Sequence, residues 1–180
     1  MAFFAFIDRD GTLIEEKNYL SDPDGVVIIP GSAQAVRTLQ ANGARVVVIS
    51  NQAGVGRGYF GIDAVQAIHR RIQEILQKHG CDIDAFYFCP HHPNGTLPQY
   101  RADCQCRKPR PGLLLQAARE KDFPAAILRV AGIYGPDRGH LFLQYLPNEA
   151  RIPGQGERCD PAPGSNNTQV LSGARERRRQ

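Results

Sequence analysis

The chain has 180 residues, 42% of them hydrophobic, which suits one domain with a packed core and excludes global disorder. No apolar stretch is long enough to span a membrane, and no basic segment precedes the short apolar run at the start, so a cytoplasmic protein without a membrane partner is expected. The net charge of +4 is uneven: by count, residues 1–122 carry 14 Lys+Arg against 13 Asp+Glu, and residues 123–180 carry 8 against 5. Arg175, Arg177, Arg178 and Arg179 supply half of those eight, and without interleaved aromatics they read as a solvated tail, not a nucleic-acid surface.

The first element is the apolar run Phe3–Ile7, a buried strand that ends in Asp8-Arg9-Asp10-Gly11-Thr12. Ligands of open α/β sheets bind at strand C-terminal tips, so Asp8 and Asp10 are expected to face one pocket while Arg9 points away. One carboxylate can attack, the other can move a proton, and both can help to hold a hard cation such as Mg2+. The plainer reading is a turn after a strand, since Asp, Gly and Thr all form turns.

A polar loop over residues 15–31 precedes a helix that Ser32 can cap and that buries Ala35, Val36 and Leu39 before ending at Gly43. Residues 45–50 form a second strand, β-branched and buried on both faces. It ends in Ser50-Asn51-Gln52-Ala53-Gly54-Val55-Gly56-Arg57, where a hydroxyl, an amide and close glycines suit an oxyanion and Arg57 can add charge-assisted hydrogen bonds; a plain flexible loop is the alternative. The clearest helix covers residues 62–79, with Val65, Ile68, Ile72, Ile75 and Leu76 on one stripe. A third strand follows at Ala85–Phe88, and Pro111 can open a helix through Leu113, Leu114, Leu115 and Ala118. This alternation predicts an α/β, doubly wound parallel sheet.

Between the third strand and that helix stand Cys89-Pro90-His91-His92-Pro93 and Cys104-Gln105-Cys106. Three thiolates and one imidazole make a closed tetrahedral zinc site, a structural Zn2+ that ties down a loop poor in apolar residues. His92 competes with His91, which is preferred because a one-residue spacing then repeats in both pairs; buried free cysteines are the bland alternative. Cys81 and Cys159 are left over. Lys108, with Arg107 beside it, lies just before a helix and reads either as an anion-binding pair or as a basic turn.

The string Asp8-Arg9-Asp10-Gly11-Thr12 resembles the nucleophile motif of the haloacid dehalogenase-like phosphatases. With Ser50-Asn51-Gln52, the Cys/His insert and Arg107-Lys108-Pro109, residues 1–122 closely resemble the D-glycero-D-manno-heptose 1,7-bisphosphate phosphatases, zinc-containing relatives of the histidinol phosphatases. The resemblance implies a cytoplasmic, Mg2+-dependent hydrolase of carbohydrate metabolism that removes the C7 phosphate through an aspartyl-phosphate, in the making of nucleotide-activated heptose for lipopolysaccharide. It implies catalytic roles for Asp8, Asp10, Ser50, Arg107 and Lys108, with Mg2+ on Asp8 and Asp10 and Zn2+ on Cys89, His91, Cys104 and Cys106. The substrate set is Glu16, Lys17, Asn18, Tyr19, Ser50, Asn51, Gln52, Ala53, Arg57, Arg107 and Lys108; a surface loop is an equal reading of Glu16 to Tyr19. The expected partner is a small sugar phosphate, and the expected state a monomer.

The family's fourth motif is a strand ending in Gly-Asp that completes the Mg2+ shell. Here Gly132 is followed by Ile133, with Asp137 at a later position. Residues of about 125–158 resemble instead a fragment of an NAD-dependent sugar epimerase. The expectation is therefore a phosphatase-like domain over 1–134, with the zinc loop at 89–108. Its C-terminal part is truncated or replaced, and the tail 135–180 is irregular and poorly ordered from about 153. The fourth strand is expected at Ala126–Ile133, beside the first. A catalytically impaired phosphosugar-binding remnant is the alternative function, as is a phosphatase for histidinol phosphate or another small phosphoester.

Overall fold

The computed structural model describes residues 3–120 together with the backbone of Thr168–Gln169. Three parallel strands form the sheet: β1 (Phe3–Ile7), β2 (Ala44–Asn51) and β3 (Ala85–Cys89). β1 pairs with β2 from Phe3↔Ala44 to Ile7↔Val48, and β2 with β3 from Val47↔Ala85 to Asn51↔Cys89. All three strands run the same way, so their C-terminal ends, which carry Asp8, Ser50, Asn51 and Cys89, lie along one edge of the sheet. That edge is where an open α/β sheet presents its ligand crevice.

Helices cover both faces, which is why β2 is apolar at successive positions. Val46 and Val48 face α1 (Ser32–Ala41) and α3 (Ile62–Lys78), within a core that includes Val36, Ile68, Ile72 and Leu76. Val47 and Ile49 face α4 (Gly112–Glu120), through Leu113, Leu114 and Ala117. Each buried Val, Leu and Ile among these contributes about 1.5–3 kcal/mol of transfer free energy. The helix stripe of α3 holds as expected, except that Ile75 is only half-buried.

Two local expectations are corrected. Ser32 does not cap α1: Gly31 is the N-cap residue, in the left-handed region, and the Ser32 hydroxyl donates to the Thr12 carbonyl at 3.1 Å. Ala35 is exposed, and Ala33, two positions earlier on the helix, packs on the core in its place. The helix ends where Gly43 takes φ +86°, a backbone state that costs glycine little.

The loop after β1 is more ordered than its composition suggests. Leu13, Ile14, Leu20 and Val26 are buried, Ile14 makes an isolated antiparallel bridge with Ile28, and Pro23–Gly25 forms a 3-10 turn. A two-residue strand, β4 (Thr168–Gln169), pairs antiparallel with β3 at Phe86 and Tyr87, an addition that the sequence pattern does not signal. The expected fourth strand at Ala126–Ile133, the epimerase-like segment and the expected loss of order beyond residue 153 lie outside the described residues, Thr168–Gln169 excepted.

Candidate active site

A cavity of about 690 Å³ opens at the C-terminal edge of the sheet. Its floor is the tip of β1 with Asp8, Arg9 and Asp10; one wall is the tip of β2 from Ser50 to Gly54; the other is Arg107 and Lys108. Glu16, Lys17, Asn18 and Tyr19 close the mouth, with Leu20 behind them.

The two carboxylates are held differently. Asp8 Oδ1 accepts the Arg9 backbone N–H at 2.8 Å, and Oδ2 forms an ion pair with Lys108 Nζ at 2.7 Å. The lysine is buried, and its ammonium also donates to the Ile49 carbonyl at 3.1 Å, which aims it along one line. Asp10 sits in a cage. It accepts from Arg9 Nε at 3.0 Å and Arg9 Nη2 at 2.8 Å, from Gln52 Nε2 at 2.8 Å and from the Ser50 hydroxyl at 3.4 Å. Gln52 closes the cage, because its Nε2 also meets the Ser50 hydroxyl at 2.6 Å and its Oε1 accepts Arg9 Nη2 at 3.0 Å.

Arg9 is the residue that sequence reasoning placed wrongly. It does not point away: it is 1% exposed and folds its guanidinium onto Asp10 at the cavity floor. The physical reason is that the fork of an arginine satisfies a neighbouring carboxylate bidentately, here through Nε and Nη2 on Asp10. A basic residue between two acidic ones was the available signal.

Asn51 contributes through its amide. Its Nδ2 donates to the Lys108 carbonyl at 3.1 Å and its Oδ1 accepts the Lys108 N–H at 2.9 Å, so the tip of β2 clamps the backbone of the lysine. Ala53 and Gly54 line the cavity, and Gly54 and Gly56 are also packing positions. Ala53–Gly56 is a short helical turn, α2. A Cβ on Gly54 would stand 2.4 Å from the Phe60 ring, and one on Gly56 would stand 2.8 Å from the Pro90 carbonyl oxygen. Arg57 is not among the cavity-lining residues: its Nη2 lies 3.2 Å from His92 Nε2 and its guanidinium carbon 5.9 Å from the centre of the Tyr19 ring.

Tyr19 is held from two sides, since its ring also meets Tyr59 edge-on at 4.9 Å. Asn18 and Tyr19 both take positive φ, +40° and +67°. For a tyrosine this backbone state costs about 1–3 kcal/mol and persists only where the surroundings impose it, a pattern concentrated at ligand-binding segments.

Beside the cavity, Cys89, His91, Cys104 and Cys106 place four ligand atoms within 4.8 Å of one another. Cys106 Sγ lies 3.4 Å from Cys89 Sγ, 3.2 Å from Cys104 Sγ and 3.4 Å from His91 Nδ1. A tetrahedral zinc ion with Zn–S bonds of about 2.3 Å needs sulfurs about 3.8 Å apart, so a small expansion admits one ion. The thiols act on one another: hydrogen bonds from Cys106 and Cys89 hold the ionisation of Cys104 below that of an ordinary thiol, while the contact with Cys104 pushes that of Cys89 up. His92 points elsewhere, with its Nδ1 accepting the Asn94 N–H at 3.1 Å. The cluster abuts the cavity wall: Arg107 follows Cys106 directly and donates to the His91 carbonyl at 3.2 Å.

The family described as Polynucleotide kinase 3 phosphatase matches residues 3–138, and so runs across the first part of the epimerase-like segment. The D-glycero-beta-D-manno-heptose-1,7-bisphosphate 7-phosphatase of Rhodopseudomonas palustris is 44% identical over 115 residues, which span 64% of this chain and 64% of that protein. The protein of the same name from Yersinia pestis is 37% identical over 127 residues, or 71% of this chain and 68% of its own length. The structure of D,D-heptose 1,7-bisphosphate phosphatase from B. bronchiseptica, complexed with magnesium and phosphate, superposes with a TM-score of 0.62 at 33% identity, covering 72% of this chain and 69% of that one. The chain thus spans just under two thirds of the R. palustris relative. It belongs to the family described as Polynucleotide kinase 3 phosphatase, among the haloacid dehalogenase-like phosphatases and alongside the D-glycero-beta-D-manno-heptose-1,7-bisphosphate 7-phosphatases.

Proposed function

We propose that the chain is a phosphomonoesterase that removes the C7 phosphate of D-glycero-D-manno-heptose 1,7-bisphosphate. The observation that carries the reading is the Asp8–Lys108 ion pair at the floor of a polar cavity, with a second, separately held carboxylate beside it.

The roles follow from how each group is held. Asp8 keeps a carboxylate oxygen at the strand tip, oriented by the Arg9 N–H and the lysine, and attacks phosphorus to form an aspartyl-phosphate. Lys108 offsets the negative charge of the carboxylate and of the incoming phosphate, and its burial strengthens that effect. Asp10, fixed by Arg9 and Gln52, protonates the leaving sugar oxygen and then takes a proton from the water that opens the acyl-phosphate. Ser50 and Arg107 face the same cavity and grip phosphoryl oxygens. Glu16, Lys17, Asn18 and Tyr19 meet the sugar at the mouth.

Asp8 and Asp10 are hard oxygen donors that both line the cavity, and they fit a Mg2+ ion. Such an ion supplies charge neutralisation at the phosphoryl group. The Cys/His cluster fits a structural Zn2+ and fixes the segment from which Arg107 and Lys108 project. A small sugar phosphate is the partner and the cytoplasm the compartment under this reading.

The test is phosphate release from the heptose bisphosphate in the presence of Mg2+, with histidinol phosphate alongside. Release from the bisphosphate at position 7 supports the reading; binding without turnover favours an impaired remnant, and preference for histidinol phosphate moves the substrate.

A further inference from the structure

Behind the cavity floor stand two buried polar groups that the mechanism does not use. Arg9 commits Nε and Nη2 to Asp10 and Gln52, but its Nη1 is buried and has no hydrogen-bond partner among the described residues. His69, in the middle of α3, is fully buried, and neither ring nitrogen has a partner there. The imidazole stacks on Phe86 at 4.5 Å between ring centres, 18° from parallel, and meets Phe88 edge-on at 5.7 Å. Burial and, secondly, the Arg9 charge hold it in the neutral form, so one ring nitrogen is an acceptor.

His69 meets Phe88, which pairs with Ser50 across β2 and β3, and the Ser50 hydroxyl contacts the Asp10 carboxylate that Arg9 holds, so a donor and an acceptor without partners among the described residues lie behind the same strand tips. Buried polar groups are almost always satisfied, and a single internal water is the usual means where two do not touch. We propose that His69 and Arg9 Nη1 are bridged by one buried water, and that through this link His69 is a positioning residue for Asp10. The chain of contacts is His69, water, Arg9, Asp10. The inference rests on the reading of Asp10 as the proton-transfer group. It gives α3, which contributes nothing to the cavity wall, a part in setting the catalytic carboxylate.

The experiment compares His69→Phe, which keeps the ring stacking and removes both nitrogens, with His69→Gln, which restores an acceptor. The expected result is kcat about 10-fold lower for His69→Phe with KM within about twofold, and kcat within about threefold of the parent for His69→Gln. The melting temperature of His69→Phe should not fall, because an apolar ring suits the Phe86–Phe88 pocket. Parental kcat in His69→Phe, or an equal loss in both variants, overturns the proposal. A high-resolution crystal structure of the parent supplies an arm that needs neither turnover nor a folded variant. A water bonded to Arg9 Nη1 and a His69 nitrogen supports the link, and its absence overturns it. A parent that releases no phosphate yet holds this water contradicts the proposed function and leaves the link standing.

Discussion

Lys108 reaches across from the segment before α4 to place its ammonium 2.7 Å from Asp8 at the tip of β1, and the lysine side chain is only 3% exposed. Its reach is fixed at the other end by Asn51, whose amide holds both the N–H and the carbonyl of Lys108. The nucleophile and its counter-charge are therefore set by two adjacent strand tips, not by a mobile surface side chain.

Replacing this lysine should be severe. Lys108→Met keeps the length of the stem and removes the charge, and kcat for phosphate release should fall by about 100-fold or more. Lys108→Arg should not restore it, since a guanidinium cannot fit the narrow position between the Ile49 carbonyl and Asp8. Steady-state kinetics of the two variants checks this; near-parental turnover in either contradicts it.

Gln52 should act on turnover more than on binding. Its amide joins Arg9, Ser50 and Asp10, and it is buried. Gln52→Leu removes the closing group of the cage and leaves the Asp10 position less defined. The expected outcome is a fall in kcat of about 10- to 100-fold with a smaller change in KM.

Much of this was legible in the sequence, and the parts that were not share a cause. The strand-tip position of Asp8, Asp10 and Ser50 follows from apolar runs that end in polar residues, because the period and length of those runs specify buried parallel strands. The Cys/His ligand set, with His91 preferred over His92, was legible from spacing, whereas the turn of the His92 ring toward Asn94 and Arg57 was not. Arg9 was misjudged, and the packing role of Gly54 and Gly56 was missed, because their meaning is tertiary. Arg9 is defined by a carboxylate and an amide that fold against it, and Gly54 and Gly56 by the close approach of Phe60 and Pro90. A pattern along the chain carries no information on such contacts.

Gly56→Ala tests that packing reading without touching the chemistry. The added methyl would meet the Pro90 backbone, which cannot rotate away as a side chain can. A loss of stability of about 1–3 kcal/mol is expected, seen as a lower urea midpoint at unchanged slope. An unchanged midpoint would show that the α2 turn yields freely.

Metal removal should loosen one region. Most of residues 93–103, between the two ligand pairs, are exposed, so metal binding energy is folding energy there. A chelator should raise amide exchange over residues 89–108 and lower phosphate release through Arg107 and Lys108, while β1 and β2 stay protected. Cys104→Ser should mimic the effect. Protein purified without chelator that holds no stoichiometric zinc would remove the premise.

The most direct measurement is phosphate release from D-glycero-D-manno-heptose 1,7-bisphosphate by the parent and by Asp8→Asn, at saturating Mg2+. An asparagine keeps the shape of the strand tip but has no carboxylate to attack phosphorus and no charge to pair with Lys108. The account predicts turnover by the parent, with loss of the C7 phosphate, and none above background in the variant. Comparable release by both proteins would contradict it.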